Sequence, residues 1–347
     1  MYNKALYIML IVMILIPVSV FASSRAAVIF LTIEPGSRSG AMGHAYSAQV
    51  DDAFASWWNL GAMAYNRKTQ ISGMHSNWFG DVFDDMYYEY LTFNTYMEDI
   101  GNVGASITYM TYGEQVRTDE DGNEEGTFTS YDLAMALNYS TQLTEDSGFG
   151  LGFKFILSDL APNGTGQTET TAKGQGMSYA FDFGYHKKNL FIDRLDFGTQ
   201  LQNFGPDITY INEAQSDPLP LTLRMGWSYR AFTDIYSRLT FNIDASKELV
   251  NDDAFYTSLF TAWGDDGFDY ETEQIILNYG TEFVYLDLLS LRAGYVSDRA
   301  GEIEGFSFGG GIHKVFNDSY KLNVDFAMQP AGGLTDYNKT FTIKFEF

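Results

Sequence analysis

The chain has 347 residues, with 21 Lys and Arg against 45 Asp and Glu, for a formal net charge of -24, and it contains 28 Phe, 24 Tyr, 33 Gly and no Cys. The charge excludes phosphate-backbone binding, which needs clustered basic residues, so no nucleic-acid partner is expected, and the aromatic content excludes an acidic disordered chain. Without Cys there are no disulfides, thiol nucleophiles, Cys metal sites or lipidated Cys.

Lys4 is the only charge ahead of an apolar run over residues 6–20, which Pro17 and Ser19 interrupt. Val20-Phe21-Ala22 then puts small residues at the -3 and -1 positions of a cleavage site. This predicts a signal peptide over 1–22. The run falls short of the ~20 residues a spanning helix needs. Residues 35–64 do not alternate: they are rich in Gly and Ala and carry Phe54, Trp57, Trp58 and Met63. That composition predicts short helices packed as a plug, over 23–66, ahead of a sheet domain over 67–347.

From there the chain alternates. Tyr131, Leu133, Met135, Leu137 and Tyr139 oppose Asp132, Ala134, Ala136 and Asn138. Phe149 to Phe155, Met177 to Tyr185, Leu221 to Tyr229 and Tyr320 to Met328 repeat the pattern. Successive strand side chains face opposite ways, so each segment has one apolar and one polar face. The segments are 68–79, 86–96, 101–112, 127–140, 148–158, 174–187, 194–203, 219–231, 237–247, 274–285, 288–298, 304–315, 319–329 and 338–347, an even number, as bacterial barrels have. A soluble sandwich would turn the apolar faces inward; an outer-membrane barrel turns them to lipid. Segment lengths of ~9–11 residues, aromatics crowding segment ends and charges on the polar face favour the barrel. Those expected lumen-facing charges are Asp132, Lys154, Asp182, Arg224, Asp244, Arg292 and Asp325. The C-terminal Phe341, Ile343, Phe345 and Phe347 alternate with polar residues and resemble the signal read by the barrel-assembly machinery. The expected fold is thus all-β: a transmembrane antiparallel barrel of about 14 strands with a short N-terminal helical plug, in the outer membrane and in contact with its lipid.

The connections alternate between long and short. Long loops, several of them acidic, are expected outside and short turns in the periplasm, which puts both termini on the periplasmic side. The longest, 248–273, holds an apolar piece over 255–263 that fits a helix or an extra hairpin.

The plug segment also carries a family likeness. Glu34-Pro35-Gly36-Ser37-Arg38, Gly40-Ala41-Met42-Gly43-His44-Ala45, Asp51-Asp52 and Trp58-Asn59-Leu60-Gly61-Ala62-Met63-Ala64 resemble the N-terminal signature of the PorV/PorQ family, FadL-like outer-membrane proteins of type IX secretion. Residues 201–206 and 213–224 are similar to a second family block. The chain departs from the signature at Leu60-Gly61-Ala62, where the family has Asn-Pro-Ala-Gly. The resemblance implies a FadL-type barrel of about 14 strands, with Gly36, Arg38, Gly43, Asp51, Asp52, Trp58 and Asn59 as structural plug residues. It implies a surface adaptor or shuttle for cargo carrying a C-terminal signal domain, with the secretion translocon and a sortase as partners. The other readings are a FadL-like transporter of hydrophobic small molecules and a purely structural barrel.

Asp51-Asp52 fits a salt-bridge anchor to the wall, with Arg224 or Arg292, or else a helix cap or solvated charge. No HExxH, close His pair or G-x-S-x-G occurs, so no enzyme activity, metal or cofactor is expected. His313 and Ser307 share a face without a defensible signature. The acidic stretches 119–125 and 265–269 lack EF-hand spacing and read as solvated loops. The runs Gly309-Gly310-Gly311 and 101–104 sit in strands, where Gly marks a bend or close approach of the plug. Cargo binding would rest on Phe255, Tyr256, Phe260, Trp263 and Tyr270, from the longest loop.

Overall fold

The computed structural model describes residues 26–119, 121–161, 174–210, 216–316 and 319–347. The expected signal peptide, most of the loop over 159–173 and residues 213–215 of the second family block lie outside them.

Fourteen long strands are found among the described residues. They are β1 (Gln70–Asn77), β2 (Met86–Met97), β3 (Gly101–Thr118), β4 (Glu124–Thr144), β5 (Ser147–Ala161), β6 (Gly174–Lys187), β7 (Leu195–Phe204), β8 (Thr222–Thr233), β9 (Ser237–Glu248), β10 (Ile276–Tyr285), β11 (Leu289–Asp298), β12 (Ile303–Phe316), β13 (Tyr320–Pro330) and β14 (Tyr337–Glu346). Each pairs antiparallel with its neighbours in sequence, and β1 pairs with β14 from Gln70 opposite Glu346 to Asn77 opposite Lys339. The sheet is therefore closed and has no free edge, the condition for spanning a bilayer with strands. Backbone bonds between Thr69 and Phe347, both 2.9 Å, finish the seam.

The alternation of the sequence becomes the two sides of the wall. On β4, Asp132, Ala134, Ala136 and Asn138 are buried inside while Met135, Leu137 and Tyr139 are exposed outside. Tyr87, Tyr109 and Tyr131 form a row across β2, β3 and β4, with ring centroids 6.4 and 5.9 Å apart. Such rows mark a membrane interface. Met135 stands midway between Tyr131 and Tyr139 on one outward face, at the centre of the apolar band. Met135→Arg should cost ~2–4 kcal/mol, read as a lower unfolding midpoint in urea for barrel inserted in lipid vesicles.

The core lies inside the barrel. The plug's Phe30, Met42, Phe54, Trp57, Trp58 and Met63 pack on Met74, Tyr88, Tyr90, Met110 and Ile156 of the wall. The plug is built from a 3-10 turn (Ile29–Thr32) and three short helices, α1 (Ser37–Ala41), α2 (Ala55–Trp58) and α3 (Leu60–Met63). None reaches a length that is stable alone; each is held by the wall.

Two expectations change, and one strand shows a feature the sequence did not indicate. First, the N-terminal side of the described chain is not at the short-turn end. The Ala27 N–H donates to the Pro218 carbonyl at 2.9 Å, in the long β7–β8 connection, so the plug runs down the lumen from the outer end before β1 begins. The C-terminus sits at the short-turn end, as expected. Counting strands fixes the two ends of the sheet; it says nothing of a leading segment that crosses the lumen first. Second, the loop expected over 113–126 is mostly strand, because β3 and β4 continue as a long hairpin with its turn near Asp119 and Asn123. The strand is β7, which bends. Asn203 has φ 62°, and the β6–β7 register shifts between Phe181 and Phe183. Above that point Met177 pairs instead with Thr209.

Candidate functional site

The plug meets the wall at two elbows where backbone touches backbone. At the first, Gly43 has φ 62°, and a Cβ there would lie 2.6 Å from the Tyr295 nitrogen of β11. At the second, a Cβ on Gly61 would lie 2.6 Å from the His186 nitrogen of β6. The wall is thinned to match: Cβ atoms added to Gly150 and Gly184 would meet Leu60 within 2.6 Å. Gly309 likewise faces Ala41, a Cβ there lying 2.8 Å from the alanine's own.

Buried charges then lock this contact. Arg38 of α1 makes a two-pronged bond to Glu282 of β10, Nε to Oε1 and Nη2 to Oε2, both 2.8 Å. It also pairs with Asp51 and donates to the Tyr46 hydroxyl at 3.0 Å. Glu282 accepts from Arg292 of β11 at 2.7 Å, and Arg292 reaches Asp325 of β13 at 2.7 Å. Asp325 is 3.2 Å from Lys344 of β14, and Lys344 is 2.9 Å from Asp52. The chain of charges thus leaves the plug at Arg38, runs over residues on four wall strands, passing β12 without a charge of its own, and returns to the plug at Asp52. Three cations face four carboxylates, so each buried ion has a counter-ion, as desolvation demands.

A second anchor holds the outer end. Glu34 pairs with Arg224 of β8 and with His44 Nδ1 at 2.8 Å, and the Arg224 guanidinium lies 4.9 Å from the Trp58 ring centroid. Burial opposes ionisation of Glu34, but Arg224 and His44 outweigh it and hold its carboxyl below the ordinary value. Asp244 of β9 accepts the backbone N–H groups of Tyr46 at 3.2 Å and Ser47 at 2.8 Å.

The seven lumen-side charges named from the sequence are all buried. Arg224, Asp244, Arg292 and Asp325 belong to these anchors. Lys154 and Asp182, 3.1 Å apart, instead secure the β7 bend: Lys154 donates to the Asn203 side chain at 2.6 Å and Asp182 accepts its N–H at 2.7 Å. Asp132 accepts from the Tyr112 hydroxyl at 2.5 Å. Of the plug residues, Gly36 opens α1 with φ 107°, the Trp58 indole donates to the Pro35 carbonyl at 2.9 Å, and Asn59 caps α3 by accepting the Gly61 N–H at 2.9 Å. Asp51 and Asp52 touch neither Arg224 nor Arg292 directly. Asp51 pairs within the plug, and Asp52 uses Lys344 while also accepting the Phe54 N–H at 3.1 Å. Sequence reasoning missed Glu34, Glu282 and Lys344. The polar-face parity of Glu282 and Lys344 was readable, but parity does not say which plug residue comes opposite, and Glu34 lies in the plug, where no strand parity applies.

No catalytic relay forms at His313. Its Nε2 is 3.2 Å from Ser290 and 3.8 Å from Asp325, so both partners use one nitrogen, whereas a relay needs one at each. Ser307 donates elsewhere, to the Ala41 carbonyl. Asp119 spends its carboxylate on the N–H groups of Asp121 and Asn123 within its own turn. Asp265, Asp266 and Glu271 come together, but Glu271 is already neutralised by Lys247 at 2.7 Å.

In the longest loop the apolar piece is helical, α4 (Phe255–Thr261), followed by α5 (Phe268–Glu273). Phe255 packs on Phe204 of the wall, centroids 4.9 Å apart, and Tyr270 is half-buried. Tyr256 is 61% and Phe260 77% exposed, and Trp263 is exposed beside them. Phe341, Phe345 and Phe347 are exposed on the outer wall.

A family model described as type IX secretion system protein PorV matches residues 22–254. The chain belongs to the PorV family. This PorV-family barrel also resembles solved outer-membrane structures. The Pseudomonas putida toluene transporter TodX aligns with 90% of this chain and 96% of its own at 13% identity, TM-score 0.54. The Ralstonia pickettii toluene transporter TbuX aligns with 90% and 97% at 11% identity, TM-score 0.50. At that identity the likeness establishes the fold, a FadL-like plugged barrel of the outer membrane. No curated protein matches the chain by sequence.

Proposed function

We propose that this PorV-family barrel works in type IX secretion as a surface adaptor, holding cargo by a folded C-terminal signal domain and handing it to a translocon and a sortase. The observation that carries this reading is the plug. It crosses the lumen with buried ion pairs to strands on opposite sides of the wall, leaving the outer loops as the working surface. There, Tyr256, Phe260 and Trp263 stand exposed at the rim, the residue types that dominate binding energy at interfaces. A second reading, a transporter of hydrophobic small molecules, is favoured by the fold shared with the toluene transporters. Against it, the cavities beside the plug are lined mainly by charged and amide side chains, where apolar ligands need apolar walls.

Pull-down from mildly solubilised outer membranes, with protein and lipid mass spectrometry, tests this. Exported proteins bearing the signal domain should copurify, and Tyr256→Ser with Phe260→Ser should lower their recovery by about tenfold or more. Recovery of an apolar small molecule with no exported protein would instead support the transporter.

A further inference from the structure

At its short-turn end the barrel is not filled. Beneath the plug lies a cavity of about 420 Å³, and a second of about 190 Å³ joins it, sharing Arg38, Asp51, Asp52 and Arg238 in their linings. Most charges around this vestibule are already matched. Arg38 has Glu282 and Asp51, Lys344 has Asp52 and Asp325, Arg230 has Asp196, and Lys68 has Glu346 at 3.1 Å. Three cations are left over. Arg238, inward-facing on β9, lines both cavities; Lys188 lines the larger and Lys321 the smaller. Among the described residues none of the three has a carboxylate within bonding distance, and Lys188 rests 3.5 Å from the centre of the Tyr65 ring. Asp287, at the β10–β11 turn, is the one carboxylate of the vestibule without a cation opposite, so the balance there is positive. The long-loop end is the reverse: residues 252–273 hold seven acids and no Lys or Arg.

We propose that this vestibule is a binding site for an acidic peptide segment of a periplasmic partner, whose carboxylates pair with Arg238, Lys188 and Lys321. The cavities have room for a few residues. The wall screens them from the bilayer, which excludes a lipid headgroup. A chain of this charge is repelled by the acidic outer loops, whereas the unmatched cations inside the vestibule attract it. The proposal is independent of the cargo reading, which concerns the other end of the molecule.

Calorimetric titration of the full barrel in neutral detergent with acetylated tetraglutamate amide tests it, with the tetraglutamine peptide as control. Saturable binding of the acidic peptide alone is expected, weakening with salt and at least about fivefold weaker in Arg238→Gln with Lys188→Gln. Lys321→Gln, tested separately, should weaken it in the same direction even if the double variant does not fold. Lys339→Gln, on the outward face at the other end, should leave it unchanged. Equal binding of tetraglutamine, or unaltered binding by the variants, would overturn the proposal. Displacement by inorganic phosphate at equal concentration would also do so, leaving a site for small anions only.

Discussion

Glu282→Ala should loosen the plug and destabilise the barrel by about 3–5 kcal/mol, the usual result of removing one partner from a buried ion pair. Glu282 is the single carboxylate between Arg38 and Arg292, and its own side chain is about 1% exposed. Without it two guanidinium groups face each other out of water. Asp51, 65% exposed, cannot replace it, because it touches Arg38 alone. A comparable change at the half-exposed Lys339–Asp81 pair should be worth ~0–1 kcal/mol. Heat-modifiable gel mobility of the two variants gives the comparison directly, and planar-bilayer conductance reports the plug: Glu282→Ala should conduct where the parent does not. Equal melting and equal conductance for both variants would show that the plug is held by packing alone.

The second large effect is expected at Gly43. Its left-handed backbone costs an alanine ~1–2 kcal/mol, and the added Cβ would press on the Tyr295 backbone at 2.6 Å. A strand of the closed wall cannot yield without breaking its ladder to β10 and β12, so Gly43→Ala should fail to seat α1 and should lower the folded yield sharply. Ala62→Gly, in the same plug and free of both constraints, should cost only ~1 kcal/mol. Folded fractions on unheated gels after refolding into detergent measure both; similar yields for the two would mean that the plug elbow is not held as tightly as its geometry implies.

How much of this was legible in advance depends on the kind of contact. Strand identity and facing came from local rules, since parity along 131–139 is the same whether or not the neighbours are known. The long hairpin over β3 and β4 was hidden because Gly113 and Gly126 read as loop residues, while cross-strand pairing of Gln115 and Val116 with Phe128 and Thr127 carries the ladder past them. The β7 bend was hidden for a similar reason. Asn203 looks like any inward amide until Lys154, Asp182 and the Pro220 carbonyl are brought around it. The helix in 255–263 was one of two readings, and contact of Phe255 with Phe204 selects it.

Period, charge placement and residue size act at the level of a single strand, so the residues alone say that alternate side chains face hydrocarbon, that the sheet closes, and that a Gly- and Ala-rich leader must pack without bulk. Folding in three dimensions adds that the leader enters from the outer end, that Arg38 finds Glu282 and Lys344 finds Asp52, and that three cations gather unmatched below the plug. Those outcomes depend on which strands curve to face one another across the lumen, and closure brings together residues more than two hundred positions apart.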